Sequence, residues 1–407
     1  MKYEDYVNLN FKPSKEHLIT TLYLEAKDIK HAAGGVASES SIGTWKDIAT
    51  EKNYMKNLAA SVFSIKKQGK GAIIKIAYSI KLFEEGNMPN ILSSVAGNIF
   101  GLAELQSLRL LDIQFPLKLL KSFKGPKYGI EGIRKILKIN RAPLLGTIIK
   151  PKLGLKTVDH AKVAFEAWTG GCDLVKDDEN LASQSFNRFE QRLKETFKMK
   201  EKAEKLTGEK KGYLINITAE TKEMLRHAKL VENIGNEYAM LDLITLGWGA
   251  IETVRNEDFD LILHGHRAGH AAMTRSKDFG ISMKVLAKVA RILGTDQLHI
   301  GAVLGKMSEA YKEVMENVSA LEEKMPLKKT MPVASGGLSV LQIPQLIKIF
   351  GNNIIIQMGG GIHGHPRGTF AGAKAARQAI EATMQNISLN EYAKKYVELK
   401  EALKTFR

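Results

Sequence analysis

Lys176-Asp177-Asp178-Glu179 puts one lysine and three carboxylates into four consecutive residues. On an extended strand, residues two apart share a face. Lys176 and Asp178 therefore point one way, and Glu179 follows at the strand mouth. Two carboxylates beside a lysine suit a hard divalent cation, Mg²⁺ above all, which takes oxygen ligands, few of them from protein. An ammonium group is no ligand. A lysine becomes one when its neutral amine takes up CO₂ to form a carbamate, an anionic oxygen donor. Cations such as Lys150 and Lys152 help by disfavouring a further positive charge. An ordinary Lys–Asp surface ion pair is the plainer reading of the same residues, and their surroundings decide between the two.

Other reactive residues end other apolar stretches in the same way. Lys150-Pro151-Lys152 closes one, His264-Gly265-His266-Arg267 a second, and His299 with the later Lys306 a third. Ser335-Gly336-Gly337 and Gln357-Met358-Gly359-Gly360-Gly361 close two more. The glycine runs can offer backbone N–H groups to a phosphate, although tight turns alone would also use them. Arg267 and His299 could clamp a second phosphate. His264, His266 and His270 could be read as a metal cluster, but the carboxylates offer Mg²⁺ better oxygen donors. Lys306, in Gly301-Ala-Val-Leu-Gly-Lys-Met307, looks like the cation of a closing loop.

These residues need a scaffold that gathers strand ends. Eight strands are predicted after Asn140: residues 145–150, 173–179, 213–217, 239–246, 261–266, 297–303, 331–335 and 354–358. They alternate with amphipathic helical stretches, and several are continuous runs of Ile, Leu and Val, as parallel strands buried on both faces require. The pattern predicts an α/β fold with a (β/α)₈ TIM barrel, whose active site lies at the C-terminal strand ends. A doubly wound open sheet is the alternative. Residues 1–120 are predicted to form a smaller α+β, ferredoxin-like domain. It would hold strands at 17–24 and 71–78, a helical stretch ending near Ser38, and Ser93–Gly101 opening another helix. Residues 121–387 would be the barrel and 388–407 a helical, lysine-rich tail.

The chain has 407 residues and is 44% hydrophobic, which is more than one core usually holds. A single cysteine, Cys172, fits a reducing compartment, and residues 1–17 lack the apolar run of a signal peptide. A cytoplasmic protein is expected, with no membrane span. The formal charge of +16 comes from lysines scattered over many helical stretches. That reads as a generally basic surface, with some steering of an anionic substrate, rather than as a nucleic-acid interface.

Taken together, the motifs resemble the large subunit of ribulose-bisphosphate carboxylase/oxygenase. Gly146-Thr-Ile-Ile-Lys-Pro-Lys-Leu-Gly-Leu155 is similar to the family's first-strand motif, and Gly170-Gly-Cys-Asp-Leu-Val-Lys-Asp-Asp-Glu-Asn180 to its metal motif. His266-Arg-Ala-Gly-His270, Leu298–Lys306, Val333–Gly337 and Gln357–Gly361 follow in the family's order, with Glu39-Ser-Ser-Ile-Gly-Thr-Trp45 and Gly97-Asn-Ile-Phe-Gly101 before the barrel. The resemblance implies that Lys176 is carbamylated, binds Mg²⁺ with Asp178 and Glu179, and takes the C3 proton of ribulose 1,5-bisphosphate. It implies late proton transfer by Lys150, electrostatic support from Lys152, and proton transfers near the sugar hydroxyls by His266. Arg267 and His299 would hold one phosphate. Ser335, Gly336, Gly337, Gln357, Gly359 and Gly360, with Thr44 and Trp45, would hold the other end of the substrate. Lys306 would close over CO₂, or over the competing O₂, paired with Glu39, and Asn98 would reach the substrate and metal region. In this family Glu39, Thr44, Trp45 and Asn98 come from a second protomer, so a homodimer or an assembly of dimers is implied.

The wording looks like the archaeal-type (form III) branch, which implies nucleotide salvage from AMP and no small subunit. The closing loop departs from the family's Gly-Thr-Val-Val-Gly-Lys-Leu-Glu-Gly at Ala302 and at Ser308-Glu309. A carboxylase-like sugar-phosphate enolase or isomerase is the rival reading. Such proteins lose part of the catalytic set, which here stands in place.

Overall fold

The computed structural model describes residues 1–43, 48–304 and 310–406. Thirteen strands follow one another along them: β1 (His17–Ala26), β2 (Ser61–Gln68), β3 (Gly71–Ser79), β4 (Leu105–Gln114), β5 (Leu144–Ile148), β6 (Leu174–Lys176), β7 (Gly212–Asn216), β8 (Tyr238–Asp242), β9 (Ile262–His266), β10 (Gly280–Ile281), β11 (Gln297–His299), β12 (Met331–Ser335) and β13 (Ile355–Met358). They belong to two compact units. One holds 1–124, 269–293 and 324–327, the other the described residues of 125–268, 294–323 and 328–407.

The first unit is a five-stranded mixed sheet in the order β10-β4-β1-β3-β2. Four of its strands are antiparallel neighbours, and β10 adds in parallel to β4. With helix α1 (Ile29–Glu39) after β1 and helix α2 (Met88–Val95) before β4, this is the ferredoxin-like βαββαβ arrangement. Alternate residues of β1 (Leu18, Thr20, Leu22, Leu24) are buried, and the helix face Ala32, Ala33, Val36 and Ala37 is small enough to pack closely. Asp28 caps α1 by accepting from the amides of Lys30 and His31, and Asn87 caps α2 through Asn90. Ser93–Gly101 closes α2 rather than opening a helix: the helix ends at Val95, Gly97 leaves helical geometry (φ −98°, ψ −118°), and a short 3₁₀ turn follows at Asn98–Gly101.

The second unit contains a closed barrel of eight parallel strands, β5-β6-β7-β8-β9-β11-β12-β13 and back to β5. Its lower interior is filled by Leu144, Leu174, Leu214, Tyr238, Met240, Ile262, Met331, Val333 and Ile355. The helix Gly129–Leu137 seals that end with Ile130, Ile133 and Leu137. A Cβ at Gly212 would lie 2.5 Å from Leu174 and 2.9 Å from Tyr238, so the glycine makes room for two large inward side chains. Met358 and Cys172 are fully buried. Among the described residues, no helix is long and apolar enough to cross a membrane.

Candidate active site

The inward face of several barrel strands changes character along its length. β6 runs from Leu174 to Lys176, β9 from Ile262 through His264 to His266, β12 from Met331 and Val333 to Ser335, and β13 from Ile355 to Gln357. Period-two alternation keeps these residues in one column, apolar below and polar above. The polar ends meet at a cavity of about 440 Å³ at the C-terminal strand ends.

Lys176 is fully buried, and its Nζ donates to the Asp177 carbonyl (2.7 Å) and to Glu179 Oε2 (3.1 Å). Asp178, also buried, receives Lys150 Nζ at 2.8 Å. Burial pushes the Glu179 carboxyl up, but the Lys176 charge and His266 outweigh it and hold the group at about 2. β6 stops at Lys176 instead of running through Glu179, as do β5 at Ile148, β8 at Asp242 and β11 at His299 short of their predicted ends. The alternation persists beyond β6 all the same. Asp177 turns outward and accepts from His160 Nε2 (3.0 Å), Tyr213 OH (2.9 Å), Arg192 Nε (2.9 Å) and the Asn216 amide (3.1 Å). Burial opposes its charge, yet Arg192 and His160 hold its carboxyl far below the usual range. The three carboxylates of the run are thus unequal: Asp177 is an anchor, Asp178 is buried against Lys150, and Glu179 lines the cavity.

Asp178 and Glu179 supply oxygen donors suited to Mg²⁺. Among the described residues, no three His, Cys, Asp or Glu side chains gather as a metal site. The set fits the ion once a third oxygen donor joins it, and the amine of Lys176, 3.1 Å from Glu179, is where a carbamate would supply one.

Ser335, Gly336, Gly337, Gln357, Gly359, Gly360 and Gly361 also line the cavity. Gly336 and Gly337 have φ of 122° and 69°, which other residues rarely adopt. A Cβ on Gly361 would lie 2.1 Å from the Leu338 carbonyl, whereas one on Gly360 would meet nothing within 4 Å. Turn and close approach therefore explain part of the glycine content, and Gly360 remains open to the cavity. Gln357 is buried at the cavity wall, and neither of its amide atoms finds a hydrogen-bond partner among the described residues.

The histidines form a chain. His264 Nε2 lies 2.9 Å from His299 Nε2, His299 Nδ1 lies 2.6 Å from Ser335 Oγ, and His264 Nδ1 lies 2.8 Å from Gln297 Oε1. Burial pushes His264 down to about 3 and His299 well below its ordinary value, so both are neutral. His264 is engaged with His299 and His266 with Asp242 (2.9 Å), and no histidine metal cluster forms among the described residues. Arg267 is buried just beyond β9. Lys152 is exposed and reaches Asn180 Oδ1 at 3.4 Å, outside the cavity lining. In the first unit, Asn98 Nδ2 donates to Glu39 Oε1 at 3.4 Å, so the end of α1 and the turn after α2 come together. Thr44, Trp45 and Lys306 lie outside the described residues, as do Ser308 and Glu309.

Asp242, Gln297 and His363 join the site without a motif in the sequence to mark them. His363 sits 3.0 Å from both Thr147 Oγ1 and the Ile148 carbonyl, tying the glycine loop to β5. Asp242 ends a barrel strand, the same signal that singled out Lys176. Residues 129–406 match the family model described as ribulose bisphosphate carboxylase large chain, catalytic domain, and residues 5–119 match that of its N-terminal domain. The chain belongs to the ribulose bisphosphate carboxylase large-chain family. It is thereby a carbon–carbon lyase. The ribulose bisphosphate carboxylase of Methanocaldococcus jannaschii is 49% identical, over 99% of this chain and all of that protein. The one from Pyrococcus abyssi is 46% identical over 98% and 96%. Among solved structures, the octameric Rubisco of Pyrococcus horikoshii superposes with a TM-score of 0.97 at 44% identity, covering 99% of this chain and 96% of that one. The dimeric archaeal Rubisco of Hyperthermus butylicus gives 0.93 at 43%, covering 99% and 98%. The archaeal character of the Rubisco resemblance thus holds across the whole chain.

Proposed function

We propose that this chain is a Mg²⁺-dependent ribulose-1,5-bisphosphate carboxylase/oxygenase that yields two molecules of 3-phosphoglycerate. The observation that carries the reading is one cavity lined by Lys176, Glu179 and Lys150 and also by Ser335, Gly337, Gly359 and Gly360, with Lys150 beside Gly359. The same lining offers groups for a cation and proton traffic and, in Ser335 and the glycine amides, groups for an anion, and a sugar with a phosphate at each end needs both. Lys176, Asp178 and Glu179 would hold Mg²⁺. When bound, the ion supplies Lewis-acid polarisation of the substrate oxygens, and carbamylated Lys176 supplies the base for the C3 proton.

Lys150 is the candidate donor to the carbanion of the nascent product, and its pairing with Asp178 keeps its Nζ at the cavity. His266 Nε2 stands 3.5 Å from Glu179, at the edge where sugar hydroxyls would lie. His299 and Arg267 bind one phosphate, and Ser335 and the glycine amides bind the other end. Lys152 lends charge at the rim, and Lys306, with Glu39, closes the site over CO₂. Glu39, Thr44, Trp45 and Asn98, carried by a domain of residues 1–120, complete the site of a partner protomer. The assembly is a homodimer or a set of dimers without a small subunit, in the cytoplasm. A role in AMP-derived nucleotide salvage is what the resemblance to the archaeal-type branch implies.

Protein preincubated with bicarbonate and Mg²⁺, then given ribulose bisphosphate and labelled CO₂, should form acid-stable labelled product. No incorporation, with exchange of the C3 proton intact, would move the assignment to a carboxylase-like enolase.

A further inference from the structure

We propose that Asp242 is the positioning residue of His266: it fixes the proton on Nδ1 and leaves Nε2 as the basic nitrogen facing the cavity. The inference rests on the reading that His266 moves protons during the reaction.

Asp242 is the last residue of β8 and pairs in register with His266, the last of β9. It is 2% exposed. Its Oδ1 accepts from His266 Nδ1 at 2.9 Å and from the Ala268 amide at 2.7 Å, while Oδ2 accepts from Thr245 Oγ1 at 2.6 Å. An ionised carboxylate can only accept, so the His266 nitrogen facing it carries the hydrogen. In the neutral ring the lone pair then belongs to Nε2, on the side of Glu179. The His299 ring stands edge-on to that of His266 (4.9 Å, 75°) and limits its rotation. The bond to Ala268 also pins the backbone immediately after Arg267. One buried carboxylate therefore sets the tautomer, the ring plane and the exit of the strand. This is the division of labour by which a carboxylate orients a catalytic histidine elsewhere.

The test reads the tautomer directly. In ¹⁵N-histidine-labelled wild-type protein, the resonance lost in His266→Ala should belong to a ring protonated on Nδ1. A ring protonated on Nε2 overturns the proposal, and no variant of Asp242 need fold for that result. Asp242→Ala should move the proton to Nε2 and lower kcat by about 10–100-fold with KM for ribulose bisphosphate near wild type. The double variant Asp242→Ala/His266→Ala should be no slower than His266→Ala alone, because the two act as a unit. Multiplying losses would show a role not exerted through His266 and overturn the proposal. If wild-type protein makes no product, the carboxylase reading fails, while the resonance still decides the role of Asp242.

Discussion

Lys176, Asp178 and Glu179 are legible as a candidate site because charged side chains at the ends of apolar strands are costly unless something pairs with them. What single residues could not reveal was their partners across strands. Asp242 was hidden because the fourth strand was predicted to run on to Leu246, whereas Leu243–Leu246 form a helical turn. His264 shows the same limit. Alone it is one histidine in a strand; in the structure it is the link between Gln297 and the His299–Ser335 pair. Replacing it by Leu would leave His299 without its Nε2 partner. The expected outcome is a rise in KM for ribulose bisphosphate of about 10–100-fold, larger than any fall in kcat. Steady-state kinetics checks this, and an unchanged KM would show that His299 needs no support. The two neutral histidines also bear on stability. The unfolded chain takes up protons on them near pH 6.5, whereas folded His264 resists until about 3. The unfolded state therefore binds more protons between those values, so stability falls as pH drops through that window. Thermal melts from pH 7 to 4 should show the decline, with a shallower slope in His264→Gln.

At the level of elements, several barrel strands buried on both faces declare themselves as runs of Ile, Leu and Val, and the regular alternation with helical stretches places the others. Strands of the first unit were harder. β2 carries Lys66, Lys67 and Gln68 on exposed backbone, and β4 buries Ser107 and Arg109 in place of apolar residues, so neither shows the expected pattern. The short exit of β6 was misjudged because alternation continues past the last strand bond. What keeps it in order is Asp177, held by His160, Tyr213, Arg192 and Asn216. Removing one partner of a buried ion pair leaves the other uncompensated, at a cost of about 3–5 kcal/mol. Arg192→Met should destabilise the barrel by that order in denaturant titrations. A change under about 1 kcal/mol would mean that Asp177 does not depend on Arg192.

At the scale of the whole molecule, the family and fold follow from matches that span nearly the full chain, but the shared site does not follow from one chain. Glu39 and Asn98 meet each other in the first unit. If each site takes its barrel from one protomer and Glu39 from the other, Glu39→Ala and Lys176→Ala proteins will be inactive alone. After mixing through a dissociated state they should regain activity, because each mixed dimer has one intact site. Continued inactivity in proven mixed dimers would place Glu39 and Lys176 in the same protomer's site. A carboxylase makes CO₂ a carbon of its product, and that carbon can be followed. Activated protein should convert ribulose 1,5-bisphosphate and ¹³CO₂ into two molecules of 3-phosphoglycerate, one of them labelled at its carboxyl group. Consumption of the bisphosphate with no label in any product would contradict carboxylation.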